Sequence, residues 1–123
     1  LWIMLHRALL TFGAVHLHAA AVTLGDRTLV FVGEKGAGKS SIATSLGRRG
    51  GIILSDDHVL VRRGPAGYVV SGCETWARVT AETEAAVFDS PLPMPARDFG
   101  GAMKKEFAVG RFFPSRPHED APV

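Results

Sequence analysis

A chain of 123 residues, 46% hydrophobic, is long enough to bury one core and too short for several domains. Its 14 Lys and Arg against 12 Asp and Glu leave a formal net charge of +2, and no basic run interleaves with aromatics, which argues against a nucleic-acid groove. The single cysteine, Cys73, has no intrachain partner for a disulfide, and this suits a reducing, cytoplasmic setting.

Residues 1–22 are apolar enough to suggest a membrane span or a signal peptide. His6, Arg7, His16 and His18 interrupt them, however, and no small-residue cleavage site follows a basic start, so a packed helix followed by a strand is expected and no membrane partner. The pattern predicts a helix over 1–12, buried on most sides and ended by Gly13. His16 to Leu24 and Thr28 to Val32 read as strands, and the intervening Gly25-Asp26-Arg27 reads as a hairpin turn. Ser40 to Arg49 carries Ile42, Ala43 and Leu46 at helical spacing, with Arg48 and Arg49 in the last turn and Gly50-Gly51 as its stop.

Ile52-Ile53-Leu54 is a short apolar run, the pattern of a strand covered on both faces, and it ends in Ser55-Asp56-Asp57. Right-handed crossover logic places it parallel to the strand from Leu29. His58 to Arg62 and Tyr68 to Ser71 form a second hairpin around Gly64-Pro65-Ala66-Gly67, and Thr80 is the N-cap of a helix reaching Phe88. Pro91, Pro93 and Pro95 then forbid regular structure, and residues 90–105 are expected to form a mobile loop with hinge-like Gly100 and Gly101 ahead of Lys104-Lys105. A strand is predicted over Glu106 to Val109, with irregular chain from Gly110 to Val123. The expected whole is one domain, 1–123, of α/β class. It is a P-loop nucleotide-binding core over 16–62, with a mixed sheet, an antiparallel hairpin leading into the P-loop strand and flanking helices. The missing initiator Met and the polar, Pro-rich tail suggest a fragment incomplete at both ends.

The stretch that carries chemistry is Gly33-Glu34-Lys35-Gly36-Ala37-Gly38-Lys39-Ser40, with Ser41 next. It reads G-x-x-x-x-G-K-S between a predicted strand and a predicted helix, the context of a phosphate-binding loop. Glycines let successive N–H groups face inward at a helix N-terminus whose dipole favours anions. Lys39 is placed to reach the β- and γ-phosphates of ATP, and Ser40 to offer its hydroxyl to Mg2+. Adjacent carboxylates on an extended chain point to opposite sides, so one of Asp56 and Asp57 faces the metal and the other the acceptor. His18 is expected close to Asp56 and able to tune it. His16-x-His18 has the look of a metal site, but no third and fourth ligand stands at suitable spacing, and His58 reads as a strand-edge residue.

These residues resemble the HPr kinase/phosphorylase family and its shorter relatives, which share a P-loop core with phosphoenolpyruvate carboxykinase. The matching frame is His18, Gly33 to Ser40, Arg49-Gly50 and Ser55-Asp56-Asp57, with internal distances of 33 − 18 = 15 and 56 − 33 = 23 residues. The resemblance implies that Asp56 is the general base for a serine hydroxyl, with His18 interacting with it. It implies that Lys39 and Ser40 hold the phosphates and Mg2+, and that Asp57 supports the metal or the loop. Arg78 and either Lys104 or Lys105 would reach the nucleotide. The second HPr kinase signature, ending in Ile-Asn-Val, is absent, which brings the chain closer to the shorter relatives that phosphorylate small proteins and peptides. A protein or peptide serine is the favoured acceptor, and a homo-oligomer is the assembly that the resemblance implies. With no Asn and no Gln, the chain lacks the N-K-x-D guanine motif and a water-positioning Gln, which disfavours a GTPase or a transporter ATPase. The alternatives are a nucleotide-sensing module without transfer and a kinase of a small alcohol such as free serine.

Overall fold

The computed structural model of the chain describes residues 2–116 and 119–123. Helix α1 spans Trp2–Thr11, and Gly13 (φ 70°) turns the chain into β1, Ala14–Leu24. There follow β2 (Arg27–Val32), α2 (Lys39–Arg48), β3 (Ile52–Ser55), β4 (His58–Gly64) and β5 (Gly67–Gly72). The second half contains β6 (Trp76–Val79), α3 (Ala81–Val87), β7 (Arg97–Asp98), β8 (Met103–Ala108), a 3-10 turn over Val109–Arg111, and β9 (Ala121–Pro122). Leu1, which the expected helix included, lies outside the described residues. Of the side chains described on α1, Met4 and Leu10 are 73% and 62% exposed, so the expectation of a helix buried on most sides does not hold for them.

The expected α/β core is corrected to a small, mostly antiparallel sheet domain. The main sheet runs β2-β1-β4-β5-β9, with β3 also paired to β1. Every ladder between its strands is antiparallel, and the parallel pairing among the described residues is the isolated bridge Ile53 to Ser115. The physical reason is β1, eleven residues long and free of Asp, Glu, Lys and Arg. One of its edges takes β2 along Ala19 to Leu24. The other edge takes β4 along Ala14 to His18 and β3 along Ala21 to Thr23. The crossover through α2 therefore lands on the far side of β1, not beside β2.

Alternation along β1 sorts its small residues to both faces. Ala20 and Val22 join Ala43 of α2, Ile53, Phe107 and Phe113 in one buried cluster, while Ala19 and Ala21 join Leu54, Val59 and Val70 in a second. On the first face Gly47 of α2 is flush with the core, since a Cβ there would lie 2.8 Å from Ile53 Cδ1 and 2.9 Å from Phe113.

The β3–β4 segment behaves as one bent strand along β1. Ala21 pairs Ser55 and His18 pairs His58, a common register that places Asp56 and Asp57 opposite Ala20 and Ala19. The amide of Ala19 donates to the Asp57 carbonyl at 2.8 Å. A register shift between Ala21 and Val22 marks a bulge just upstream, a feature that re-aims side chains. Gly72 of β5 backs onto it, for a Cβ there would sit 1.9 Å from the Leu54 carbonyl oxygen.

A second, three-stranded sheet has the order β6-β8-β7. The loop expected over 90–105 thus ends in a hairpin. Arg97 pairs Lys104, the Asp98 carboxylate accepts from the Gly101 amide at 2.7 Å, and Gly100 and Gly101 (φ 68° and 92°) make the tip. The tail also gains structure. Ser115 donates to the Ile53 carbonyl at 2.8 Å, and β9 pairs with β5 at the sheet edge. No helix among the described residues is long and apolar enough to cross a membrane.

Candidate functional site

The chain leaves β2 at Val32 and turns through Gly33 to Gly38 into α2. Gly36 (φ 85°) and the N-cap Gly38 (φ 97°) hold left-handed conformations that a side chain would strain. The N–H groups of the first helical turn, at Lys39, Ser40 and Ser41, have no acceptor within the helix and carry the positive end of its dipole. The Lys39 ammonium donates to the Gly33 carbonyl at 2.7 Å and the Glu34 carbonyl at 2.9 Å, so its charge sits over the loop. Gly33, Glu34 and Ala37 supply loop backbone, and a Cβ on Gly33 would lie 3.2 Å from that of Ala37.

The bend separates the two aspartates. Asp56 is 5% exposed. Its Oδ2 accepts from the Ser40 hydroxyl at 2.9 Å and from the Arg78 amide at 3.4 Å, while its Oδ1 is buried with no hydrogen-bond partner among the described residues. Burial pushes its carboxyl from the ordinary 3.8 up to about 6, against the opposing pull of the Ser40 hydroxyl and the Arg78 amide. Asp57 is half-buried and turns the other way, its Oδ1 meeting His18 Nε2. The expected His18–Asp56 contact is therefore replaced by His18–Asp57. His18 faces His58 across the β1–β4 ladder, so the carboxylate beside His58 on that side is Asp57, while Asp56 turns toward α2.

Two adjoining clefts, of about 500 and 530 Å3, meet along His18, Lys35, Ser40, Asp57, Arg78 and Lys104. The first also takes in Gly36, Gly38, Lys39, Ser41 and Thr83 of α3. The second continues over Asp56, Cys73, Glu74, Thr75 and Trp76. Ser41 shares a hydrogen bond with Thr83 at 2.8 Å, joining α2 to α3 at the cleft wall. Arg78 bonds Glu106 at 2.8 Å and lies 4.3 Å from the centre of the Phe99 ring, a paired and stacked cation. Lys35 donates to the Phe99 carbonyl at 3.4 Å, linking the glycine loop to the β7–β8 tip.

The basic pair divides cleanly. Lys105 bonds Glu84 and the Leu92 carbonyl, at 2.8 and 3.0 Å, beneath α3, whereas Lys104 lines both clefts. Lys105→Met is expected to lower the melting temperature and leave nucleotide affinity near the parent value. Lys104→Ala should do the reverse, and a thermal melt paired with an ATP titration of each variant reads the split.

Glu74 was invisible to sequence reasoning. It lies in the connection between β5 and β6, where no periodicity or motif marks it, yet its Oε1 comes within 3.5 Å of His58 Nε2. Burial raises its pKa, as does the nearby Asp57 carboxylate. Comparison with protein-family models, curated proteins and solved structures returns no match to this chain.

Proposed function

We propose that this chain binds ATP with Mg2+ and transfers the γ-phosphoryl group to a hydroxyl of a protein or peptide, the activity that its resemblance to the HPr kinase/phosphorylase family implies. The observation that carries the proposal is Asp56, with one oxygen on the Ser40 hydroxyl of the glycine loop and the other buried and unpartnered beside it. An orphaned carboxylate oxygen next to a serine hydroxyl is a hard-oxygen donor pair that fits Mg2+, for which a loop Ser and a following Asp are typical ligands. When bound, Mg2+ supplies neutralisation of phosphate charge.

The chain's own groups do the rest. First-turn amides and the Lys39 ammonium hold the triphosphate in the first cleft, with Lys39 exchanging its two loop carbonyls for phosphate oxygens. The roles of the two aspartates are exchanged relative to those that the resemblance implies, because Ser40 engages Asp56. Asp57, which lines both clefts and has His18 behind it, then takes the proton from the acceptor hydroxyl. The acceptor oxygen forms a bond to the γ-phosphorus, the bond from that phosphorus to the β–γ bridging oxygen breaks, and ADP leaves. Lys104 and Arg78, which line both clefts, are the cations available to offset charge that develops during transfer.

Asp57→Asn is expected to retain ATP affinity and to cut transfer by at least about a hundredfold, in the range typical of a lost general base. The measurement is incubation of the chain with labelled ATP and cell extract, followed by separation of protein bands from small molecules. Transfer at the parent rate would remove Asp57 from the base role. Label confined to small molecules would move the acceptor to a free alcohol, and nucleotide binding with no label anywhere would leave a sensing module.

A further inference from the structure

Three donor atoms from two segments, the Asp57-His58 junction of β3 and β4 and the β5–β6 connection, converge beside the second cleft. His58 Nε2 lies 3.4 Å from Asp57 Oδ2 and 3.5 Å from Glu74 Oε1, and all three lie within 4.8 Å of one another. These separations are longer than the ~2.7–2.9 Å of a charge-assisted hydrogen bond. The two His58 separations match the edge of a tetrahedron around an ion bound at ~2.0–2.2 Å, which is about 3.4 Å, and the third edge, Asp57 to Glu74, is at most 4.8 Å. The ring is also aimed: His58 Nδ1 sits 2.9 Å from His16 Nε2, which fixes the imidazole with its Nε2 toward the two carboxylates. Such an outer partner is the arrangement that orients histidines on metals. Two carboxylates face one imidazole in a half-buried setting, and a divalent cation would offset their mutual repulsion.

We propose that Asp57, His58 and Glu74 form a binding site for one divalent transition-metal ion of the zinc type, with His16 as the positioning residue behind His58. One nitrogen and two oxygens leave a fourth position open to water or a ligand from the cleft. A nitrogen-containing set selects Zn2+ or a related first-row ion over Mg2+, which prefers all-oxygen octahedral shells. The site is separate from the Ser40–Asp56 pair but shares Asp57 with the proposed transfer step, so an ion held through Asp57 Oδ2, with Oδ1 on His18, would block proton uptake there and inhibit transfer.

The test is calorimetric titration of the metal-stripped full chain with Zn2+ in millimolar Mg2+, repeated with Co2+ while the visible absorption is recorded. The expected result is uptake of Zn2+ that Mg2+ does not displace, with Co2+ giving the intense bands of a four-coordinate site. His58→Ala and Glu74→Gln should each weaken uptake by at least about tenfold, and His16→Ala by roughly ten- to a hundredfold. Lys39→Ala should lose ATP and keep Zn2+, so the two readings fail separately. Glu74→Gln replaces a half-exposed side chain on a connection, and its melt reports that the chain is folded. Zn2+ uptake equal in the parent and in Glu74→Gln, or no uptake by the parent, overturns the proposal and leaves His58 as an imidazole shared by two acids.

Discussion

Asp56→Asn is expected to remove the loss of stability that the parent suffers as pH rises from 4 to 8, and to abolish the response of ATP binding to Mg2+ on which the proposed function depends. The folded carboxyl sits at about 6 against an ordinary 3.8, with burial as the main cause. A pKa raised by folding gives stability that is fully present below the unfolded value and is lost as pH rises through the folded one. The buried carboxylate therefore weighs against the fold above pH 6. The gap, 6 − 3.8 = 2.2, corresponds to about 3 kcal/mol at ~1.36 kcal/mol per pH unit. A neutral Asn escapes that cost and keeps the Ser40 bond, while its buried, unpaired amide N–H groups cost about 1–3 kcal/mol at every pH. In chelator the parent should therefore lose roughly 10 °C of melting temperature relative to the variant between pH 4 and pH 8. The pH-linked part of the difference should vanish near pH 4, where the parent carboxyl is protonated too. A melting-temperature difference between parent and variant that stays constant from pH 4 to pH 8 would show that the charge is not held at a loss. Stability given up at a site is a frequent companion of activity, and the same variant should bind ATP with no response to added Mg2+.

Lys39→Ala should weaken ATP binding by about a hundredfold or more. A charge-assisted hydrogen bond contributes about 1.5–3 kcal/mol, and a triphosphate offers Lys39 two oxygens in place of its present carbonyl partners at Gly33 and Glu34. The fold should change little, because the freed carbonyls lie on a loop open to water. Calorimetry with ATP and Mg2+ measures the loss, and affinity equal to the parent's would dismiss the glycine loop as a phosphate site.

Local signals in the sequence were legible because their causes are local. The Gly25 and Gly64–Gly67 turns, the Thr80 cap accepting from the Thr83 amide, and the strand–loop–helix around Lys39 all appear in the structure. The sheet's pairing was not legible. An apolar run such as Ile52 to Leu54 reads the same whether its neighbour runs with it or against it. What decides is the length of β1, which offers one edge to β3 and β4 in succession. Alternation said that Asp56 and Asp57 diverge, but the bulge beside Leu54 resets the phase and so decides which of them meets Ser40. Lys104 and Lys105 would have separated on the same rule had the strand been started at Met103 and not at Glu106. Glu74 and His58 are sixteen positions apart (74 − 58), and only the folded chain brings them together.

Because the glycine loop follows β2 and the acidic bend joins β3 to β4, both hang from opposite edges of the same strand, β1. The glycine loop and the acidic bend are thus one fixed jaw, held a strand's width apart by the ladders on the two edges of β1. The opposing jaw is the β7–β8 tip, joined to the fixed one through the long Lys35 contact at Phe99. In the proposed reaction a bulky acceptor enters by displacing that tip, which breaks the Lys35–Phe99 contact and leaves Lys39 on its own loop carbonyls.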